Sequence, residues 1–288
     1  GLTAQGGGGK GLVGYRIYAE TETNVKKWSN RKESNKPSSK SIYEKVTPLF
    51  EITNEGTKKT PGFEDLGYTY SGFEFFNRIT ERSNIIGRDT ELTGQAVAVF
   101  GNGFGAGPNK DGKQPSILYF IDAYTGKKLH EIVLDPNGMG AATPSILVSP
   151  DVMGGQQLDR IYVGDYSGTL YKVEFNDNDF TSSSTKITAL FKAPKTNFGQ
   201  SAISVKPLVV KARNSNLYRV FFGTGIAASH DLDRYENSKV QHSIYSITDL
   251  GKSKEASSVL GNATGTLTPV LTVANLKKGS VQYQNGSK

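Results

Sequence analysis

The chain has no cysteine in its 288 residues. That excludes disulfides, thiolate metal centres and cysteine nucleophiles, and it leaves the compartment open. Histidine is scarce: His130, His230 and His242 are the only three. They are too dispersed to supply a nucleophile–base pair from sequence. Tryptophan occurs once, as Trp28. No apolar run approaches the ~18 residues of a membrane-crossing helix, so no spanning segment is expected. The first residue is Gly1, with no charged-then-apolar leader behind it, and the sequence reads as a piece of something longer.

Glycine is plentiful, at 33 residues, and the aromatic share is 10%. Lysine and arginine total 34 against 27 acidic residues, a net charge of +7. The excess is uneven. Between Asn24 and Lys45 lie Lys26, Lys27, Arg31, Lys32, Lys36, Lys40 and Lys45, opposed by Glu33 and Glu44. Ser34, Asn35, Pro37, Ser38 and Ser39 make this stretch, 24–45, a long polar loop. Its first four cations, Lys26, Lys27, Arg31 and Lys32, form the candidate binding surface for an acidic glycan or acidic protein face. Nucleic acid is not the expected partner, because stacking aromatics and a groove-fitting helix are both missing.

The periodicity is that of strands. Segments 95–100, 116–122, 160–164, 169–175 and 218–223 are short, rich in β-branched and aromatic residues, and closed by Gly, Asn, Asp or Ser. An apolar strand ends in a glycine turn three times, as Val99-Phe-Gly-Asn-Gly103, Tyr162-Val-Gly-Asp165 and Phe221-Phe-Gly-Thr-Gly225. Gly101, Gly164 and Gly223 are 63 and 59 residues apart. Each turn is followed by a strand built around a tyrosine: Tyr119, Tyr171 or Tyr245. A small antiparallel sheet cannot bury both faces alone, and radial stacking of several does so. At roughly 40–50 residues per blade, an all-β propeller of about six or seven blades with long inserted loops is expected over 1–288. A β-sandwich is the structural alternative.

Three further patterns have ordinary explanations. Gly101-Asn-Gly-Phe-Gly-Ala106 fits a dinucleotide fingerprint, yet turn residues follow it where a helix N-terminus is required. A blade hairpin fits better. The acidic runs 176–179 and 230–233 read as surface loops. In Ser71-Gly-Phe-Glu-Phe-Phe76, alternation puts Phe73 and Phe75 on one side and Phe76 on the other, as in a strand packed between sheets.

Several motifs, in order, resemble the C-terminal domain of the PilC/PilY family of type IV pilus tip-associated adhesins and biogenesis factors. These are the glycine-rich Gly6–Gly11, Leu49-Phe-Glu51 with Phe50 in place of a tryptophan, and Leu66-Gly-Tyr68. Ala98-Val-Phe-Gly-Asn-Gly103, Asp122-Ala-Tyr-Thr-Gly126, Asp159-Arg-Ile-Tyr-Val-Gly-Asp165 and Phe222-Gly-Thr-Gly225 follow. Tyr15-Arg-Ile-Tyr18 departs from the family's usual first strand, and the region after Gly251 is less recognisable. The resemblance implies a modified, quinoprotein-like propeller cut from a larger protein. It implies a place at the outer membrane, cell surface or pilus tip. Minor pilins at the tip, the outer-membrane secretion apparatus and the host-cell surface are the partners it implies. The implied role is non-catalytic: promoting piliation by opposing retraction, and supporting host-cell attachment and hence virulence.

The family often carries a calcium loop before the Asp-Arg-x-Tyr strand, supplying oxygens at alternating positions. Here Asp151 and Asp159 stand as its first and last carboxylates. Met153 and Gly155 offer no side-chain oxygen between them, and Gln156 replaces the bending glycine. Two readings stand: a degenerate calcium site at Asp151 and Asp159, or a plain blade turn. Two functional alternatives also stand beside the pilus reading. One is a propeller lectin outside the pilus system, using the basic loop. The other is a degenerate quinoprotein dehydrogenase, against which count the single tryptophan and the absence of a cysteine pair.

Overall fold

A computed structural model describes residues 2–5, 9–21, 42–54, 62–83, 90–105, 107, 112–175, 179–181, 185–196, 199–213, 217–226 and 242–249. Every regular element among them is a strand. The first sheet is the meander β1 (Leu2–Ala4), β2 (Gly11–Thr21) and β3 (Ile42–Thr53). The second is β4 (Glu74–Ser83), β5 (Thr90–Gly101), β6 (Ser116–Asp122) and β7 (Lys128–Asp135). The third is β8 (Ser145–Pro150), β9 (Gln156–Gly164), β10 (Thr169–Glu174) and β11 (Lys186–Lys192). A two-stranded ribbon, β12 (Lys195–Thr196) with β13 (Gly199–Gln200), precedes the fourth sheet of β14 (Leu208–Lys211), β15 (Tyr218–Gly223) and β16 (Ile244–Asp249). All named strand pairings are antiparallel.

Strand alternation explains how the sheets stack. In β6, Ile117, Tyr119 and Ile121 join Leu12 and Ile52 of the first sheet in one core. The residues between them, Leu118 and Phe120, join Ile161, Val163 and Val173 of the third sheet in another. β9 and β10 repeat the arrangement, with Tyr162 and Leu170 turned toward Val220, Phe222 and Ile247 of the fourth sheet. Successive side chains on a strand point to opposite faces, so a central strand with no polar side can be buried on both. Large apolar side chains contribute roughly 1.5–3 kcal/mol each when fully buried, and they make up the clusters at each joint.

This serial face-to-face packing of small antiparallel meanders is the propeller arrangement expected from the repeats. Its period is longer than 40–50 residues, because the first strands of the four sheets begin at Leu2, Glu74, Ser145 and Leu208. The extra length lies in extended hairpins such as β2–β3, whose pairing runs from Gly11↔Thr53 out to Thr21↔Ile42. Four sheets and the ribbon therefore occupy the described residues.

Candidate functional site

The basic residues Lys26, Lys27, Arg31 and Lys32 lie outside the described residues, as does Trp28. The two carboxylates of the calcium reading are described. Asp151 opens the β8–β9 hairpin, its N–H donating to the Gly155 carbonyl at 2.9 Å and its carbonyl accepting from Gly154 N–H at 3.1 Å. Asp159 sits inside β9, where its Oδ2 accepts from Arg160 Nε at 3.0 Å. The hairpin pairs Pro150 with Gln156, so Asp159 stands three residues, or ~10 Å, further along the strand. No cluster of three or more His, Asp or Glu side chains placed to hold a metal occurs among the described residues.

The glycine turns have a defined role. A Cβ on Gly101 would lie 2.2 Å from the Ala142 carbonyl oxygen and 2.3 Å from that of Ala141. One on Gly164 would lie 2.4 Å from the Ile203 carbonyl oxygen. Each glycine thus leaves room for the linker that leads to the next sheet. Positive φ occurs further into each turn, two residues on at Gly103 (77°) and Gly225 (140°) and four residues on at Gly168 (85°). At Gly223 the nearest atom to such a Cβ is 3.8 Å away, because no linker to a further sheet crosses it among the described residues.

The residue after each repeating glycine is polar and pins the returning strand. The side-chain oxygen of Asn102 accepts from Ile117 N–H at 3.0 Å and from Ala141 N–H at 2.8 Å. Its amide nitrogen donates to the carbonyls of Asp65 and Pro115 at 2.8 and 2.9 Å. Asp165 Oδ1 accepts from Thr169 N–H at 2.7 Å, and Thr224 Oγ1 accepts from Ser243 N–H at 2.9 Å. Gly103 N–H reaches the Ala141 carbonyl, Ile203 N–H the Asp165 carbonyl and Gly225 N–H the Ala202 carbonyl, each at 2.9 Å. One or two residues on, each turn carries an apolar or aromatic residue, and Phe104, Tyr166 and Ile226 gather with Ala142 and Ala202 in one small cluster. This is what the supposed dinucleotide fingerprint does: it is a hairpin turn holding a linker.

Two further joints carry chemistry. The Asp122 carboxylate accepts from Tyr124 N–H, Thr125 N–H and Thr125 Oγ1, at 2.8 to 3.0 Å. Partial burial opposes its charge, yet these donors and Gln95 hold its carboxyl below the usual range. The turn brings Gly126, at φ 73°, against the ring of Phe50, whose nearest carbon would be 2.4 Å from a Cβ there. Gly14 closes on the same ring at the same distance, so Phe50 is clasped between glycines of two sheets.

The other joint is ionic. Arg160, Lys172, Glu174 and Asp249 are all buried, where β9 and β10 meet the end of β16. Asp249 accepts from Lys172 Nζ at 2.9 Å and from the Tyr162 hydroxyl, and lies 3.7 Å from Arg160 Nη1. Arg160 also stacks on the Tyr218 ring at 4.7 Å. Burial and the neighbouring Asp249 carboxylate raise the Tyr162 phenol far above its ordinary pKa, so it remains a donor.

The aromatic segment behaves as its alternation requires. Phe76 is buried in the core shared with the third sheet, and Phe73 packs on the core shared with the first. Phe75 shares Phe73's side, their ring centroids 6.5 Å apart, and stays half exposed. His130 packs near Phe120 and Phe180, and burial holds its pKa below the ordinary value. One surface feature escaped the sequence reading. Val205, Leu208, Val210, Phe221 and Ile244 are all exposed, on the face of the fourth sheet turned away from the third. Among the described residues, the clustered buried polar groups are thus inward-facing sheet fasteners.

No family model matches the chain. Over 94 residues, 32% of this chain, it is 40% identical to the type IV pilus biogenesis factor PilY1 homolog of Xylella fastidiosa, and the match spans 7% of that protein's length. Its fold is similar to the crystal structure of the Pseudomonas aeruginosa PilY1 C-terminal domain, with a TM-score of 0.53 and 18% identity. That superposition covers 89% of this chain and 46% of the solved one.

Proposed function

From a PilY1-like C-terminal fold as premise, we propose that the chain is the propeller portion of a type IV pilus biogenesis factor, acting without catalysis. The observation carrying this reading is the agreement of two independent likenesses. The 40% identity over 94 residues is to a PilY1 homologue, and the fold over 89% of the chain resembles a PilY1 C-terminal domain. The inner polar groups described above fasten sheets to one another, which suits a rigid body whose hairpins carry recognition. In this reading the parent protein is exported to the outer membrane and pilus tip. There it promotes piliation by opposing retraction and supports host-cell attachment. The hairpins contact minor pilins, the outer-membrane secretion apparatus or a host surface, and Lys26, Lys27, Arg31 and Lys32 contact acidic groups.

The test is deletion of this domain from the full-length protein, with surface pili counted in cells with and without the retraction motor. Loss of pili with the motor present, and their return without it, is the expected pattern. Unchanged piliation and adherence in both backgrounds refutes the proposal. Neutralising Lys26, Lys27, Arg31 and Lys32 should abolish any salt-sensitive binding to acidic glycans, because such contacts are screened over about 10 Å at 0.1 M salt.

A further inference from the structure

The joint between the second and third sheets holds a hydrogen-bond chain that is one hydrogen short. Asp165 is fully buried, and its carboxylate faces both sheets. From its own sheet and turn, Oδ1 accepts from Thr169 N–H at 2.7 Å, and Ser167 Oγ lies 2.9 Å from each oxygen. Across the joint, Ser116 Oγ of β6 donates to Oδ2 at 3.3 Å. The Tyr171 hydroxyl lies 3.2 Å from Asp165 Oδ2 and 3.3 Å from Asp135 Oδ2, at the end of β7. A phenol has one hydrogen to donate, so Tyr171 serves one of these two carboxylates at a time. Lys192 of β11 is the cation on this side, but its ammonium donates to Ser167 Oγ at 2.9 Å and to Thr169 Oγ1. It therefore orients the hydroxyls and does not neutralise Asp165 by contact.

We propose that this joint is a proton-sensitive latch: one proton taken from solvent by Asp165 completes the chain Asp165–Tyr171–Asp135 and ties the second sheet to the third. The acid hydrogen of Asp165 is donated to the Tyr171 oxygen, which releases the phenolic hydrogen wholly to Asp135. Nothing else is consumed, and loss of the proton restores the competition. The proton goes to Asp165 because Asp165 is fully buried while Asp135 is only partly so, and the penalty on a charge grows with burial. Burial pushes the Asp165 carboxyl up to about 6 against the pull of Thr169, Ser167, Lys192 and Tyr171.

Carbon-detected NMR of the side-chain carboxyls of the whole chain between pH 4.5 and 7.5 tests this, with Asp165 assigned by its absence in Asp165→Asn. The expected result is a carboxyl titrating near pH 6. In Asp135→Asn the new amide donates to the Tyr171 oxygen and sends the phenolic hydrogen to Asp165. Its midpoint should then fall by about half a unit or more, roughly a threefold loss of proton affinity. Amide exchange of Ala141 and Thr169, corrected for the intrinsic pH effect, should be more protected at pH 5 than at pH 7 in the native chain and indifferent in Asp165→Asn. The latch is refuted by a midpoint near the ordinary carboxylate value, or by one that Asp135→Asn leaves in place. Asp135 is partly exposed, so its substitution keeps the test available if Asp165→Asn fails to fold.

Discussion

Removing Asp249 should loosen the fourth sheet from the third, and the structure sets the size of the effect. Asp249 is the acceptor for Lys172 Nζ and the Tyr162 hydroxyl, and the anion beside Arg160 Nη1. Arg160 and Lys172 are both buried, with relative exposures of 4% and 5%. In Asp249→Ala the two cations lose this partner, and breaking a buried pair from one side costs about 3–5 kcal/mol. The remaining anions moderate the loss, since Lys172 keeps Glu174 at 3.5 Å and Arg160 keeps Asp159 at 3.0 Å. The expected destabilisation is therefore near the lower bound, about 3 kcal/mol. Urea unfolding followed by intrinsic fluorescence measures it, with a lowered midpoint at unchanged slope. A second substitution sharpens the test. Lys172→Met in the Asp249→Ala background removes the excess buried cation but takes the ion-pair partner from Glu174, so it should recover only part of the loss, about 1 kcal/mol. A loss under about 1 kcal/mol for Asp249→Ala, or a double variant that is additively worse, would refute the picture of a buried, mutually dependent cluster.

The other joints give distinct expectations. Asn102→Ala strands the buried N–H groups of Ile117 and Ala141, at about 1–3 kcal/mol each, so thermal unfolding should show a loss of about 3 kcal/mol or more. Gly126→Ala must adopt φ near 73° and push its methyl into the Phe50 ring; a loss of about 2–4 kcal/mol in urea unfolding is expected. For Asp165 the sign follows from a folded pKa of about 6, raised above the ordinary 3.8 of an unfolded chain. The folded chain binds that proton more tightly, so the contribution is fully present below pH 3.8 and lost as pH rises through 6. It amounts to about 3 kcal/mol, and the difference in unfolding free energy between the native chain and Asp165→Asn, followed from pH 4 to 7, reads it.

How far these features were legible depends on whether a local pattern carried them. Tyr119, Tyr171 and Tyr245 were visible as a repeat, and all three turn toward the preceding sheet. The glycines at 101 and 164 were visible as well, although close passage of a linker makes them necessary and positive φ does not. Asn102, Asp165 and Thr224 directly follow Gly101, Gly164 and Gly223, a repeat of polar turn chemistry that is legible in the sequence. Asp249 had no such marker. It becomes the keystone of the ionic joint only because β16 returns it beside Lys172, 77 positions away. The apolar face of the fourth sheet was hidden for the same reason, since Leu208 and Phe221 become neighbours only through the β14–β15 register.

The polarity of the joints also bears on how similar sheets choose their neighbours. The third sheet presents Ile161, Val163, Tyr171 and Val173 to the second. Its opposite face is apolar at Tyr162 and Leu170 and charged at Arg160, Lys172 and Glu174. A face whose one polar group is a phenol that stays neutral, Tyr171, tolerates most apolar sheets of matching shape, and a chain of repeated meanders holds several. A face carrying two cations and a carboxylate can be buried only against a sheet that brings an anion to the right place, which Asp249 does. Pairing with the wrong sheet would leave those charges desolvated and unmatched, a penalty of several kcal/mol. The ionic joint therefore contributes order more than net stability, and the two roles separate in one variant. Asp249→Ala with Lys172→Met should regain part of the equilibrium stability lost in Asp249→Ala, yet refold more slowly and with more than one phase, because the cue that excludes wrong neighbours has gone. Single-phase refolding at the native rate would show that sheet order is set elsewhere.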